Sequence, residues 1–368
     1  MDFSSLLESL RVSPVLALAL FVLLLLIASV QLSTRVTHFY PSTLELCSLY
    51  GKLLVSPLYK TWRWKSKLRR DMRLNPNLAF KLPFAADPIN VQQYVQMCGL
   101  QGKVEAEDLP FAYVASSFLY PTVCLLSQRR YLFPVLGGIH VHNYFRWEPL
   151  KMQQKYEGLL KVQETVKFTR KGAEVTFPQL LLNEQGREVW RSTTTVLVPC
   201  RNPPQDPSTS IGAEAVPTKR VSLVDECRSL GLKVELVRER AFKTAADTGR
   251  RFAAVVKDYN PIHLFTWSAR LFGFRRAICH GMYVGALALE EALDAWRAEG
   301  GEATAVMEAD VKFIRPCFVG NGFVVKIWRV EDKAAEAGKR LVVMVAQQGK
   351  DDTVHMQATV QAAREERE

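Results

Sequence analysis

The chain has 368 residues, of which 48% are hydrophobic and 23% charged, and its formal net charge at pH 7 is +11. This length allows two ordinary domains plus a further segment, and the composition is that of a folded protein with a core, so a disordered chain is excluded. The positive excess suits an anionic partner, but the sequence contains no recognisable nucleic-acid-binding module, and we expect no nucleic-acid partner.

An uncharged apolar segment comes first in the chain. No charged residue lies between Val12 and Thr34, and about 20 apolar residues are enough to cross a bilayer as a helix. A basic run follows, formed by Lys60, Arg63, Lys65, Lys67, Arg69, Arg70 and Arg73. We predict a single-pass transmembrane anchor over residues 1–36 and a basic juxtamembrane segment over residues 37–74 that contacts membrane lipid. The alternative is a signal peptide cleaved near Ala28.

The distribution of positive charge also predicts the orientation. Because lysine and arginine are concentrated after the apolar segment, the rest of the chain is expected in the cytosol, on the endoplasmic reticulum or another organelle membrane. The seven cysteines are scattered without metal-ligand spacing. We therefore expect reduced thiols and no metal site.

Two similar halves are predicted behind the anchor, separated by a proline-rich linker at residues 199–219. In the second half, Gly281 to Trp296 is apolar on nearly every face as far as Glu290, which predicts a buried helix. The period-two patterns that follow predict strands over residues 308–313, 323–330, 340–347 and 355–362.

The first half repeats this order. A helix is predicted over residues 112–126, and strands over residues 140–147, 158–168, 175–182 and 189–198. Each half therefore reads as an antiparallel sheet curled around one helix, which makes the fold class α+β. We assign the halves to residues 75–198 and 220–368.

A polar constellation lies between the predicted helices of the second half. Asp258-Tyr259-Asn260-Pro261-Ile262-His263 is followed by Ala277-Ile278-Cys279-His280-Gly281-Met282. Proline forces the residue before it out of the helical region, so a carboxylate and an imidazole share one fixed bend. Acid/base chemistry on an activated carbonyl compound needs such a pair, with a second group that polarises the oxygen. The amide of Gly281, at the positive end of the buried helix, can supply that group.

The runs D-Y-N-P-I-H and A-I-C-H-G-M resemble the MaoC-like, or R-specific hydratase 2, family of hotdog proteins, over roughly residues 240–320. The resemblance implies two hotdog domains, each an antiparallel sheet wrapped around a central helix. The first copy would be degenerate and shape an acyl-chain pocket, and the second would be catalytic. The implied reaction, in fatty-acid metabolism, is reversible hydration of a trans-2-enoyl thioester to the (3R)-3-hydroxyacyl thioester, which makes the chain a hydro-lyase.

The resemblance also implies roles for individual residues. His263 would act as base toward water, Asp258 would handle the proton at C2, Asn260 would orient the loop or the water, and the Gly281 amide would bind the thioester oxygen. The residues expected to contact substrate are Tyr259, Pro261, Ile262, His280, Arg276 and Arg315, the two arginines through coenzyme A phosphates. No cofactor is expected beyond coenzyme A or acyl carrier protein as part of the substrate, and a homodimer is compatible with this picture.

One residue departs from the family pattern. Lys257 stands before Asp258, where a small turn residue is usual, and we expect it to lower the pKa of Asp258 and weaken it as a proton donor. The departure keeps open a second hypothesis, a non-catalytic acyl-CoA-binding scaffold. A third is an acyl-CoA thioesterase. His140 and His142 are interpreted as structural residues of a strand.

Overall fold

The computed structural model describes residues 73–75, 77–128, 130–134, 137–200, 222–302, 305–331 and 339–363, together with Glu45, Leu49 and Leu53. The predicted transmembrane anchor, most of the basic juxtamembrane segment and most of the predicted linker lie outside these residues. Among the helices of the described residues, none has the length and apolar character needed to cross a bilayer. The six cysteines in the described part are free, as expected.

The described residues form eight helices and thirteen strands. The helices are α1 (Pro88–Met97), α2 (Phe111–Ser117), α3 (Leu119–Ser127), α4 (Leu223–Ser229), α5 (Thr248–Val256), α6 (Pro261–Leu264), α7 (Thr266–Arg270) and α8 (Gly281–Ala298). The strands of the first half are β1 (Ala79–Phe84), β2 (Asp108–Leu109), β3 (Ile139–Trp147), β4 (Leu150–Lys151), β5 (Tyr156–Lys161), β6 (Lys167–Thr169), β7 (Gly172–Leu182) and β8 (Glu188–Pro199). Those of the second half are β9 (Lys233–Lys243), β10 (Met307–Phe313), β11 (Gly322–Glu331), β12 (Lys339–Gln347) and β13 (Lys350–Ala362).

One antiparallel sheet joins both halves, in the order β1-β5-β7-β8-β3-β10-β13-β12-β11-β9. Counted along the chain, the long strands of the first half stand in the order first, third, fourth, fifth, second. Read from its edge strand β9, the second half has the same order. The two halves meet where β3 pairs with β10. The repeat predicted from the sequence is therefore a repeat of topology, and the molecule is a double hotdog.

Each copy wraps its part of the sheet around apolar helices. In the second copy α8 is buried along most of its length, and Ala286, Ala288 and Ala292 are fully inaccessible. Their small side chains let the sheet approach the helix backbone closely. The strands predicted after this helix are all present, with ends that differ by up to five residues.

The helix of the first copy differs from the prediction, because α2 ends at Ser117 and α3 begins at Leu119. Pro121 explains the interruption, since proline has no amide N–H and its ring clashes with the carbonyl four residues earlier. The strand predicted over residues 158–168 is likewise two strands, β5 and β6.

Candidate active site

The loop that carries Asp258 begins at an unusual backbone position. Lys257 ends α5 with φ 59° and ψ 26°, and it is the only non-glycine residue with positive φ in the described part of the chain. Asp258 then accepts a hydrogen bond through Oδ1 from the amide of Asn260, at 3.0 Å. Pro261 begins α6. The left-handed residue, the side-chain turn and the proline together fix the direction of the loop.

Three side chains from two loops meet behind this bend. Ligand atoms of Asp258, His263 and His280 all lie within 4.8 Å of one another. The imidazole Nε2 of His280 is 3.5 Å from the Asp258 carboxylate and 3.2 Å from the Asp258 carbonyl oxygen. The structure therefore places together the carboxylate and imidazole of the first motif and adds the imidazole of the second.

Hydrogen bonds define the tautomers of both rings. His263 Nδ1 lies 2.9 Å from the carbonyl oxygen of Ile278, which can only accept, so Nδ1 carries the hydrogen and Nε2 keeps a lone pair. His280 Nε2 donates to the Asp258 carbonyl by the same reasoning, and its Nδ1 is buried without a hydrogen-bond partner. Two imidazoles and a carboxylate resemble a transition-metal donor set. However, the nitrogen of His280 nearest Asp258 carries a hydrogen and is not free to ligate.

Burial shifts the pKa values of these groups in opposite directions. It lowers the pKa of His263, against the attraction of Asp258, and lowers that of His280 well below 6.5, helped by His263. It raises the pKa of Asp258, against His263 and the Asn260 amide. Burial thus shifts both groups toward their neutral forms, an imidazole that can act as a base and a carboxyl group that can act as an acid.

The expectation about Lys257 is wrong. Its ammonium group donates to the carbonyl oxygen of Ala254, at 2.7 Å, and the pKa of Asp258 is raised rather than lowered. Burial of the Asp258 carboxylate therefore has a larger effect on its pKa than the charge of Lys257, whose ammonium group bonds to the preceding turn of α5.

A cavity of about 500 Å³ opens beside these residues and extends between the two copies. Asp258, Asn260, His263 and Gly281 line it from the second copy. From the first copy it is lined by Leu119, Thr122, Val123 and Leu126 of α3, with Gln179 of β7 and Thr194 and Val196 of β8. Leu53, from ahead of the first copy, also lines it. A cavity of this volume with mainly apolar walls fits an acyl chain.

The amino end of α8 reaches the same cavity. His280 precedes the helix without forming a side-chain capping bond, so the first amides of α8 are not used by a cap. A Cβ at Gly281 would lie 3.2 Å from the ring of Phe313 and 3.5 Å from Nδ1 of His140. Because glycine has no Cβ, a ligand oxygen can approach the amides of α8 at the positive end of the helix dipole.

The other predicted substrate contacts divide into two groups. Ile262, His280 and Arg315 line the cavity, whereas Tyr259, Pro261 and Arg276 do not. Arg276 donates to Oδ1 of Asn321, at 2.8 Å, and lies over the ring of Phe318. The structure therefore does not bring these three residues to the site.

Two histidines that were not predicted to lie at the site also line the cavity: His140, which we interpreted as a structural residue of a strand, and His355. The ring of His140 lies 4.6 Å from that of Phe313, and burial lowers its pKa to about 4. A β-bulge between His140 and His142 breaks the alternation of β3. His142 bonds instead to Asp310 of the second copy, at 2.9 Å. The period-two pattern carried no signal for this bulge.

Comparison with known proteins identifies the domain that holds the site. Residues 230–361 match the sequence profile of the family described as MaoC like domain. A relative, 3-hydroxyacyl-thioester dehydratase X of Mycobacterium tuberculosis (strain ATCC 25618 / H37Rv), is 28% identical over 208 residues, which is 55% of this chain. The chain spans 65% of that relative's length. The resemblance inferred from the two motifs is confirmed.

Solved structures share the fold. The crystal structure of HtdX of Mycobacterium tuberculosis matches with a TM-score of 0.57 and 18% identity, over 77% of this chain and all of that one. Peroxisomal multifunctional enzyme type 2 from Drosophila melanogaster matches with a TM-score of 0.55 and 15% identity, over 90% of this chain and 59% of that one. A MaoC-like dehydratase from Phytophthora capsici gives 0.52 and 15%, over 82% and 99%. At these identities the likeness establishes the architecture.

Proposed function

Since residues 230–361 form a MaoC-like domain within a double hotdog, we propose that the protein catalyses the reversible hydration of trans-2-enoyl thioesters to (3R)-3-hydroxyacyl thioesters. One observation carries the proposal. Asp258 and His263 lie together at an apolar cavity, with pKa values shifted toward an acid and a base, beside the open amino end of α8.

The geometry supports a role for each residue in the hydration direction. His263 accepts a proton from water through Nε2, the nitrogen with the lone pair, and the water oxygen bonds to C3 of the enoyl group. Electron density moves toward the thioester oxygen, where the Gly281 amide donates a hydrogen bond. Asp258 gives its proton to C2. Transfer of the proton from His263 back to Asp258 restores both groups, and the net change is the addition of one water molecule.

The first copy supplies the acyl-binding walls in this proposal. Leu119 and Leu126 of α3 line the cavity from the first copy, whereas the acid/base pair lines it from the second, so the acyl chain extends toward them. Arg315 is exposed at the cavity and is placed to meet a phosphate of coenzyme A. The chemistry needs no separate cofactor, since both proton transfers are made by side chains. The apolar amino-terminal segment would hold the enzyme at an organelle membrane where long acyl chains partition.

The decisive experiment incubates the purified full-length chain with trans-2-enoyl-CoAs of several lengths. Loss of the enoyl absorbance and stereochemical analysis of the product are followed together. We expect the (3R)-3-hydroxyacyl product from wild type and none from Asp258→Asn. A folded wild type that binds acyl-CoA without turnover rejects the proposal in favour of the scaffold hypothesis. Release of free thiol with no 3-hydroxyacyl product rejects it in favour of a thioesterase.

A further inference from the structure

Exposed apolar side chains are concentrated in one short segment. Large apolar residues that are exposed in the described part of the chain are Ile89, Leu230, Leu236, Phe265, Trp267 and Leu271. Three of these six fall within residues 265–271, where Phe265 is 42% exposed, Trp267 66% and Leu271 76%. The rings of Phe265 and Trp267 stack, with 6.1 Å between their centroids. A cluster of this kind on a soluble surface marks an interaction site.

Positive charge surrounds this cluster. Between residues 248 and 278 the basic residues are Arg250, Arg251, Lys257, Arg270, Arg275 and Arg276, and the single acidic residue is Asp258. The guanidinium of Arg250 lies over the ring of Phe265, 5.0 Å from its centroid. The arginine ion pairs of the described residues involve other arginines. The arginines of this face therefore keep their charge available for an anionic partner.

Residues that flank this segment reach the cavity. Ile262 and Phe274, on either side of residues 265–271, line the cavity. Phe272 packs against the first copy, since a Cβ at Gly137 would lie 2.7 Å from its ring. Within the segment, Ser268 and Ala269 face the protein interior, and the outward face carries Phe265, Trp267 and Leu271.

We propose that this outward face, the docking patch of Phe265, Trp267 and Leu271 with Arg250, Arg270 and Arg275, binds an anionic lipid bilayer. The apolar side chains enter the boundary between headgroups and acyl chains, and the arginines meet lipid phosphates. Tryptophan suits this position because its ring is apolar and its N–H can bond to headgroups.

The placement of the docking patch has a consequence for substrate entry. A bilayer bound there lies beside Ile262 and Phe274, which line the cavity, so an acyl thioester dissolved in the membrane would reach the acid/base pair without crossing bulk water. This consequence rests on the proposed function. The binding of the docking patch to lipid does not, because it depends only on exposed residues outside the acid/base pair.

The test follows Trp267 on vesicles. The full-length chain is mixed with phosphatidylcholine–phosphatidylserine vesicles, with or without bromine on the acyl chains, and the emission of Trp267→Phe is subtracted from that of wild type. The difference isolates one of the seven tryptophans. We expect bromine to quench the Trp267 signal. An unquenched Trp267 signal overturns the proposal, and it does so whether or not another segment holds the chain on the vesicle. A response to acidic acyl carrier protein alone would reassign the patch to a protein partner.

A matched pair of variants tests the apolar contribution. Leu271→Ser removes an apolar side chain from the docking patch, and Leu230→Ser removes one of similar exposure from another surface. We expect the first to weaken docking of Trp267 by about tenfold, measured as the lipid concentration that gives half of the quenching, and the second to leave it unchanged. Equal effects of the two variants would overturn the proposal. A failed hydration assay would leave these outcomes unaffected, so the two proposals can fail separately.

Discussion

His263 and His280 stack their imidazole rings with 3.7 Å between the ring centroids and 24° between the ring planes. Because both rings are buried, a positive charge on one opposes a positive charge on the other. The stack therefore keeps two neutral imidazoles beside Asp258. Each ring donates through one nitrogen to a backbone carbonyl and keeps a lone pair on the other nitrogen, Nε2 in His263 and Nδ1 in His280.

Substitution of the two histidines should separate a catalytic role from a positioning role. We expect His263→Ala to lower kcat by about 10²–10⁴-fold, since it removes the general base. His280→Phe keeps an aromatic ring in the stack but loses the hydrogen bond to the Asp258 carbonyl, and we expect a loss of about tenfold. Steady-state kinetics with one enoyl-CoA measures both. Equal losses would mean that His280 takes part in proton transfer.

The cavity histidines predict a dependence of stability on pH. Burial lowers the pKa of His140, His263, His280 and His355 below the ordinary value of 6.5. The unfolded chain then binds protons that the folded chain does not. The stability these groups contribute is therefore present above about pH 6.5 and lost as pH falls through the lowered values.

His140→Gln isolates one of these groups. If the ring were fully desolvated, its pKa of about 4 would lower the free energy of unfolding by about 2 kcal/mol at pH 5 relative to pH 7.5. One side of His140 faces the cavity, whose solvent weakens the effect, so we expect about 1 kcal/mol. Urea unfolding at both pH values measures the difference between the variant and wild type. A difference that does not change between pH 7.5 and pH 5 contradicts this role of burial.

Lys257 predicts a gain in stability. A side chain at positive φ costs roughly 1–2 kcal/mol, whereas glycine adopts this region without strain but loses more entropy on folding. We therefore expect Lys257→Gly to raise the free energy of unfolding by about 0.5–1 kcal/mol in urea titrations. Lys257→Ala is the control, because it loses the same bond to the Ala254 carbonyl and retains the strain. If alanine stabilises as much as glycine, the backbone is not the cause.

Sequence patterns predicted the interior of the fold better than its edges. The missed long strands, β1 and β9, stand at the two ends of the sheet. β9 is charged along much of its length and mostly accessible, since it pairs only with β11. An edge strand has no second neighbour that would demand an alternating apolar pattern, so its sequence carries little signal.

Residues of the site that are close together in the sequence were also easier to predict than residues that are far apart in it. Asp258 and His263 share one loop, and their proximity follows from the bend at Asn260-Pro261. His140 and His355 come from β3 and β13, and they reach the cavity through sheet pairing and a bulge. One chain segment read alone contains nothing that specifies such contacts. The predicted residues that line the cavity therefore come from the loop of Asp258 and His263 and from the start of α8, with Arg315 as the one addition.

Glu290 on α8 provides a prediction about the core. It is 3% exposed, and burial raises its pKa to about 7, with Arg297 acting in the opposite direction. Because the folded pKa exceeds the ordinary 4.5, its contribution to stability is fully present below pH 4.5 and is lost as pH rises through 7. This difference between the folded and the ordinary pKa corresponds to a loss of at most about 3 kcal/mol in the free energy of unfolding at high pH. We therefore expect Glu290→Gln to be more stable than wild type at pH 8.5 and nearly equal to it at pH 4.5.

The neighbouring Glu291 is the control with the opposite sign. Its carboxylate lies 2.6 Å from the ammonium of Lys103 and 2.7 Å from the guanidinium of Arg238, and although burial opposes them, these cations lower its pKa. Glu291→Gln removes a buried carboxylate that pairs with partly exposed cations, of which Lys103 and Arg238 still pair with Asp294, so we expect it to destabilise at pH 8.5 by about 1 kcal/mol. Urea unfolding of both variants measures the two effects. If Glu290→Gln also destabilises at pH 8.5, its carboxylate is stabilised by contacts that outweigh burial. The carboxylate then belongs, with Glu291, to the ionic contacts between the two copies.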